Sequence, residues 1–151
     1  MYFCCDLSMT MTSTNRDSKT INLCNDISEV PRLYDFVRDA CASAGLDDAS
    51  TFGVNLAVEE AVVNVMDYAY PLGQKGTITV EATADGQHLT FVISDEGKPF
   101  DPTAAEEPDT SLPAQERDIG GLGIFLVRHY MDSVSYMRKD GQNILHLSKK
   151  L

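Results

Sequence analysis

The sequence predicts an α+β domain, a two-layer sandwich with helices packed on one face of a mostly antiparallel, mixed sheet. The chain has 151 residues, the usual size of one domain. Apolar residues recur at helical spacing in its first half, and two pairs of alternating segments are joined by short turns, as in β-hairpins. Helices separated from hairpins along a chain favour one sheet covered on one side.

The first third of the chain begins with a segment that has no periodic pattern. Residues 1–18 are rich in Ser, Thr and Met, and we expect a flexible tail there, followed by a domain over residues 19–151. The segment "KTINL" at 19–23 has the pattern of a first strand. A first helix follows, with Ser28 as its expected N-cap and Gly45 as its end.

A second helix is predicted from about Ser50 to Tyr68, because apolar residues cover most of its circumference. The segments "GTITVEAT" and "HLTFVISD", joined by "ADGQ", predict a hairpin over 76–95. Residues 98–118 are rich in Pro, Asp and Glu and read as a functional lid or a disordered loop. A third helix over about 121–131 and a second hairpin over 133–149 complete the predicted order β-α-α-β-β-lid-α-β-β.

The charge balance excludes some partners. The chain carries 23 acidic and 12 basic residues, for a formal net charge of −11. Such a surface repels nucleic acid and anionic membranes and attracts basic protein surfaces, so we expect protein partners and no direct nucleic-acid or membrane binding. The start of the chain is a poor signal peptide, which predicts a cytoplasmic protein. Its four cysteines lack metal-ligand spacing and are expected to be reduced thiols.

The second helix carries a polar pair on its otherwise apolar surface. Glu60 and Asn64 are four residues apart and therefore project from the same side of a helix, with Asp67 one turn further. A carboxylate and an amide oxygen at this spacing can hold a hard cation, or position a water or hydroxyl. The alternative is a solvated stripe on an amphipathic helix.

Two further segments combine glycine with a charged residue. Asp95 ends an apolar strand with Gly97 two residues later, where a carboxylate could accept from an exocyclic amine and a flat ring could approach the backbone. Arg117 precedes Gly121 and Gly123 at a helix start, which is a ready anion site. The alternatives are a plain strand-ending turn and a helix-starting turn.

Taken in order, these segments resemble a known set of motifs. "EEAVVNVMDYAYP", "DEGKPFDP" and "GGLGIFLVRHYMDSVSY" are similar to the N, G1 and G2 boxes of the histidine-kinase-like ATPase superfamily, which has the Bergerat fold. The closer resemblance is to the anti-sigma-factor serine/threonine kinases, over about residues 20–150. Where many of these relatives have histidine, this chain has Asp67.

The resemblance implies roles for individual residues. Asn64 would coordinate Mg²⁺, and Glu60 would be the general base toward a serine hydroxyl of a partner protein. The residues implied to bind ATP are Asp95 toward adenine, Gly97 beside the ring, Gly121 and Gly123 toward the phosphates, and Arg117 as a lid arginine. Arg117 is separated from the glycine run by two residues, so its match to the family's arginine is looser.

The resemblance also implies a function. The chain would be an ATP-binding anti-sigma factor that sequesters a sigma factor and phosphorylates a serine on its anti-sigma-factor antagonist. A homodimer is expected because relatives commonly form one. The alternative from another class is a regulatory module that binds ATP and a protein partner without phosphoryl transfer.

Overall fold

The computed structural model describes residues 17–104 and 119–151. Arg117 and most of the predicted lid lie outside the described residues, as does the tail up to residue 16. The described helices and strands are β1 (Asp17–Cys24), α1 (Val30–Ala44), α2 (Asp48–Tyr68), β2 (Thr77–Ala84), β3 (His88–Asp95), α3 (Ile119–Tyr130), β4 (Ser133–Lys139) and β5 (Gln142–Lys150). The first strand thus begins two residues before the predicted "KTINL" and includes two residues that the sequence assigned to the tail.

The five strands form one sheet in the order β1-β2-β3-β5-β4. All four pairings between these described strands are antiparallel, so the sheet lacks the parallel pair that a mixed sheet would contain. Side chains on one face alternate with those on the other, and the inward set is buried. This set is Ile78, Val80, Ala82, Leu89, Phe91, Ile93, Leu145 and Leu147. The α+β sandwich expected from the sequence is therefore confirmed.

Side chains that cap the helices explain where the helices begin, and one predicted cap is wrong. Ser28 is not the N-cap of α1, because Asp26 accepts its backbone N–H at 2.8 Å and starts a short 3₁₀ turn ahead of the helix. Asp47 caps α2 by accepting from the Ser50 backbone N–H at 2.7 Å. Gly45 ends α1 as predicted, with a φ of 83° that favours glycine.

Helix α2 is the central element of the helical layer. Val54, Ala57, Val58 and Val62 are fully buried, and α2 lies between α1 and α3 in the contacts it makes. At Gly53 a Cβ atom would collide with the ring of Tyr130, so glycine at this position lets α3 approach α2 closely. This packing holds the two helices that carry the predicted N-box and G2-box residues.

The described cysteines differ in their environment. Cys24 is exposed, whereas Cys41 is buried in the core, and burial raises the pKa of its thiol to about 11 even though Thr51 hydrogen bonds to it. Cys41 is therefore protonated and unreactive at neutral pH. Within 17–104 and 119–151, no helix combines the length and the apolar character that crossing a bilayer requires.

Candidate functional site

The predicted polar pair on α2 meets the glycine-rich start of α3. Glu60 and Asn64 are both partly buried. A Cβ atom at Gly123 would lie 3.0 Å from Asn64 Nδ2 and 3.2 Å from Glu60 Oε2. The fold therefore brings Gly123 next to two residues that lie about 60 positions earlier in the chain. The polar side chains of Glu60 and Asn64 face the bare backbone of this glycine.

The glycines lie inside the helix instead of ahead of it. Because α3 begins at Ile119, Gly121 is in its first turn and Gly123 is its fifth residue. The first four amides of a helix have no partner within it, so the amide of Gly121 belongs to the set that can bind an anion. Gly123 lies beyond that set, and the reason for glycine there is the closeness of Asn64 and Glu60.

Glu60 has the electrostatic environment of a base. Its pKa is raised, chiefly because partial burial disfavours the charged carboxylate and also because the carboxylate of Glu59 is near. A carboxylate with a raised pKa holds a proton more readily than an ordinary glutamate does. This property suits a group that accepts a proton from a hydroxyl.

Asp95 is the second predicted side chain, at the end of β3. It is 3% exposed, and its Oδ1 accepts hydrogen bonds from the Gly97 backbone N–H at 2.8 Å and from Asn143 Nδ2 at 3.0 Å. Both donors reach the same oxygen. Neither uses Oδ2, so this second oxygen can accept from a donor on a ligand.

The need for glycine at position 97 comes from a close contact with Ala69, which the sequence did not indicate. A Cβ atom there would lie 2.6 Å from the Ala69 Cβ and would also overlap the Ala69 carbonyl. The next residue, Lys98, donates its backbone N–H to the same carbonyl at 2.8 Å. The turn after β3 is thus held against the end of α2, and glycine is required for this contact whether or not a ligand ring approaches.

Two side chains from elsewhere in the chain fix this turn. Tyr70 accepts the backbone N–H of Glu96 at 3.2 Å and donates to the Thr77 carbonyl at 3.1 Å. From β4, Arg138 donates to the carbonyl of Gly97 at 2.8 Å. The position of the carboxylate at the end of β3 is therefore set by contacts on both sides of the turn.

A small pocket opens between α2 and the sheet beside this carboxylate. Asp95 and Asn143 form its polar end, and Phe100, which stacks on Tyr68 with ring centroids 5.7 Å apart, forms part of its wall. The remaining lining residues are mostly apolar: Ala61, Val65, Ile93, Pro102, Tyr136 and Leu145. The pocket has room for about one water molecule in this structure, so a flat ring with a donor on one edge could enter only if its walls moved apart.

The structure brings some of the predicted site residues together and places others elsewhere. Glu60, Asn64 and Gly123 come together, and Ala61 and Val65, the neighbours of the first two along α2, line the pocket beside Asp95. Asp67 is exposed and lines a different cleft, with Asn25, Pro71 and Leu72.

Asn143, Tyr70 and Arg138 hold the site in place and were missed by the sequence analysis. Asn143 had a detectable signal, because it occupies an inward position of β5 in alternation with the buried Leu145 and Leu147. A polar residue at such a position needs hydrogen-bond partners. Nothing in the local pattern of Tyr70 or Arg138 distinguishes them from ordinary surface residues.

Comparisons with known proteins place the chain in a family. A family model described as the histidine kinase-like ATPase domain matches residues 23–149. The chain is 32% identical over 97 residues to the serine/threonine-protein kinase BtrW of Bordetella bronchiseptica, which is 64% of this chain and 68% of that protein. It is 35% identical over 102 residues to the serine-protein kinase RsbW of Halalkalibacterium halodurans, covering 65% of this chain and 61% of the relative.

A solved structure shares the fold. The RsbU and RsbW domains of Rv1364c from Mycobacterium tuberculosis align with 89% of this chain and 32% of theirs, with a TM-score of 0.64 and 18% identity. At this level of identity the likeness concerns the arrangement of helices and strands alone. It supports the same sandwich that the sheet order and the helix packing define.

Proposed function

Because the chain belongs to the histidine kinase-like ATPase family, among the anti-sigma-factor serine/threonine kinases, we propose that it binds ATP and phosphorylates a serine of a protein partner. The ATP site lies between α2, α3 and the end of β3. The observation that carries the proposal is the close approach of Gly123 to Glu60 and Asn64, whose neighbours along α2, Ala61 and Val65, line the pocket that ends in Asp95.

The adenine ring binds at the pocket beside Asp95, whose walls move apart to admit it, because the empty pocket has room for only about one water molecule. The exocyclic amine donates to Asp95 Oδ2, since Oδ1 is engaged by Gly97 and Asn143. The phosphates extend toward the first turn of α3, where the amide of Gly121 is available, and Arg117 adds a positive charge from the lid.

Asn64 is the residue that holds Mg²⁺. Hard cations prefer oxygen ligands, and the Asn64 amide would offer one at a position where Gly123 leaves room. The ion supplies charge neutralisation for the triphosphate in a region that is otherwise acidic.

Glu60 accepts the proton in the transfer step. The serine Oγ forms a bond to the γ-phosphorus as the bond from that phosphorus to the bridging oxygen of ADP breaks, and the hydroxyl proton passes to the Glu60 carboxylate. Positioning and charge stabilisation provide most of the acceleration in such transfers. The raised pKa of Glu60 suits this role, because it makes the carboxylate a better proton acceptor.

The protein partners are a sigma factor, which the chain sequesters, and the anti-sigma-factor antagonist that carries the serine. A net charge of −11 favours partners with basic surfaces. A homodimer and a cytoplasmic location belong to the same proposal. The chain does not act on nucleic acid directly.

Phosphate transfer from labelled ATP to antagonist proteins of the same cell tests the proposal. Glu60→Gln keeps the size of the side chain and removes its basicity, so ATP affinity should stay near the parental value while transfer falls by roughly 10²–10⁴-fold. Glu59→Gln is the matched control, because position 59 is rotated by about 100° around the helix, and its transfer rate should stay close to parental.

The same assay separates the two function classes. If the parental chain binds ATP and a partner but transfers no phosphate to any antagonist, the non-enzymatic binding module is the correct reading. Transfer at the parental rate by Glu60→Gln would remove the base assignment while leaving the kinase activity in place.

A further inference from the structure

The amide of Asn143 is saturated with hydrogen bonds. Its Nδ2 donates to Asp95 Oδ1 at 3.0 Å and to the Lys98 carbonyl at 2.9 Å. Its Oδ1 accepts from the Phe100 backbone N–H at 3.2 Å and from the Tyr136 hydroxyl at 2.6 Å. The side chain is 5% exposed, so these partners replace water completely.

The surroundings fix the orientation of this amide. If its oxygen and nitrogen were exchanged, the oxygen would face the carboxylate of Asp95 and the carbonyl of Lys98, while the NH₂ group would face the N–H of Phe100. All three contacts would then be repulsive. The side chain therefore has one orientation in which every donor meets an acceptor.

This single side chain joins two parts of the site. Asn143 lies opposite Asp95 in the register of β3 and β5, and there it occupies one carboxylate oxygen and leaves the other for a ligand. The same amide also holds the backbone of Lys98 and Phe100, the first residues of the segment that leads into the lid. The ring of Phe100 in turn lines the pocket.

We propose that Asn143 is a positioning residue that couples ligand binding at Asp95 to the order of residues 98–104. A donor on Asp95 Oδ2 stabilises the carboxylate in the orientation that accepts from Asn143, and the fixed amide then holds the backbone of Lys98 and Phe100 in place beside the ligand. The inference rests on the proposed ATP binding and assigns to this side chain the link between the adenine end and residues 98–104.

Two variants separate this role from a merely structural one. Asn143→Ala removes all four bonds of the amide, whereas Asn22→Ala, the matched control, removes an exposed asparagine on β1 whose amide oxygen accepts from the Thr79 hydroxyl at 2.9 Å. ATP affinity is measured by calorimetry. Hydrogen exchange of residues 98–104 is measured in the empty protein and at saturating ATP.

We expect Asn143→Ala to weaken ATP binding by roughly tenfold to a hundredfold, as for the loss of a hydrogen bond to a charged group. In the parental protein, saturating ATP should slow the hydrogen exchange of residues 98–104. In Asn143→Ala, saturating ATP should leave this exchange unchanged. Asn22→Ala should keep that protection and bind ATP within about threefold of the parent, a difference of about 0.7 kcal/mol or less. Should Asn143→Ala fail to fold, Asn143→Ser, with a short polar side chain, takes its place with the same expectation for the protection.

The outcomes are distinguishable. If Asn143→Ala, once saturated, protects residues 98–104 as the parent does, the coupling is wrong while ATP binding stands. If the variant is only less stable, its melting temperature falls and the protection at saturation remains, which also contradicts the inference. If the parental protein binds no ATP, both the proposed function and the inference are overturned.

Discussion

Gly123 on α3 lies directly against Asn64 on α2, so close that a Cβ atom at position 123 would come within 3.0 Å of Asn64 Nδ2. The same atom would lie 3.2 Å from Glu60 Oε2. Few real side chains tolerate such distances, so this glycine keeps space free in front of the two polar groups. The site therefore depends on the approach of two helices as well as on the residues that each one carries.

Substitution of this glycine should separate binding from stability. Gly123→Ala adds a methyl group against Asn64 and Glu60, and we expect Mg-ATP affinity to fall by about tenfold or more, equivalent to about 1.4 kcal/mol. Alanine favours a helix over glycine by up to about 1 kcal/mol, so the free energy of unfolding should change little. Calorimetry and chemical denaturation measure the two quantities, and a variant that binds Mg-ATP like the parent would show that the space is not needed.

The metal assignment predicts a conditional effect. Asn64→Ala deletes one oxygen ligand to a hard cation and should therefore weaken ATP binding in the presence of Mg²⁺ more than in its absence. Titrations with ATP, with the ion present or removed by a chelator, compare the two losses. Equal losses under both conditions would contradict the role of Asn64 as a metal ligand.

The raised pKa of Glu60 predicts a pH dependence of stability. Partial burial, and secondarily Glu59, make the folded protein bind this proton more tightly than the unfolded chain does. The corresponding stability is present below the unfolded pKa of about 4 and is lost as the pH rises through the raised folded pKa. The parent should therefore lose stability relative to Glu60→Gln as the pH rises from about 4 toward 7.

Chemical denaturation of the nucleotide-free proteins across this range measures the effect. Glu59→Gln should reduce the pH dependence only in part, because burial is the larger cause of the raised pKa of Glu60. Parallel pH profiles for the parent and Glu60→Gln would mean that this carboxyl titrates alike in the folded and unfolded states.

Much of the fold could be predicted because its signals are local. The alternation in β2 and β3, the turn between them and the apolar surface of α2 are all readable within one element. The start of α1 was misassigned because Asp26 and Ser28 are both good caps, and only the three-dimensional turn shows that Asp26 is the acceptor.

The site was predictable to a smaller extent. Glu60 and Asn64 share a helix face by spacing alone, but their contact with Gly123 depends on how α3 docks, which no local pattern states. The contact of Gly97 with Ala69 and the network of Asn143 likewise join residues that are far apart in the chain. Such contacts follow from the packing of elements, and the sequence reveals only that a buried polar residue must find partners.

Binding of ATP by the Asp95→Asn variant tests the central claim most directly. The single amide oxygen of the variant stays with its two donors, Gly97 and Asn143, so the NH₂ group takes the place of Oδ2 and faces the adenine amine. Two donors then meet, and we expect a loss of roughly 1.5–3 kcal/mol or more, which makes binding hard to detect while the fold stays intact. Glu96→Gln, at the exposed neighbouring carboxylate, is the control and should bind ATP as the parent does. Calorimetry that finds parental affinity in Asp95→Asn would contradict the account, because the ligand would then not be held by the carboxylate at the end of β3.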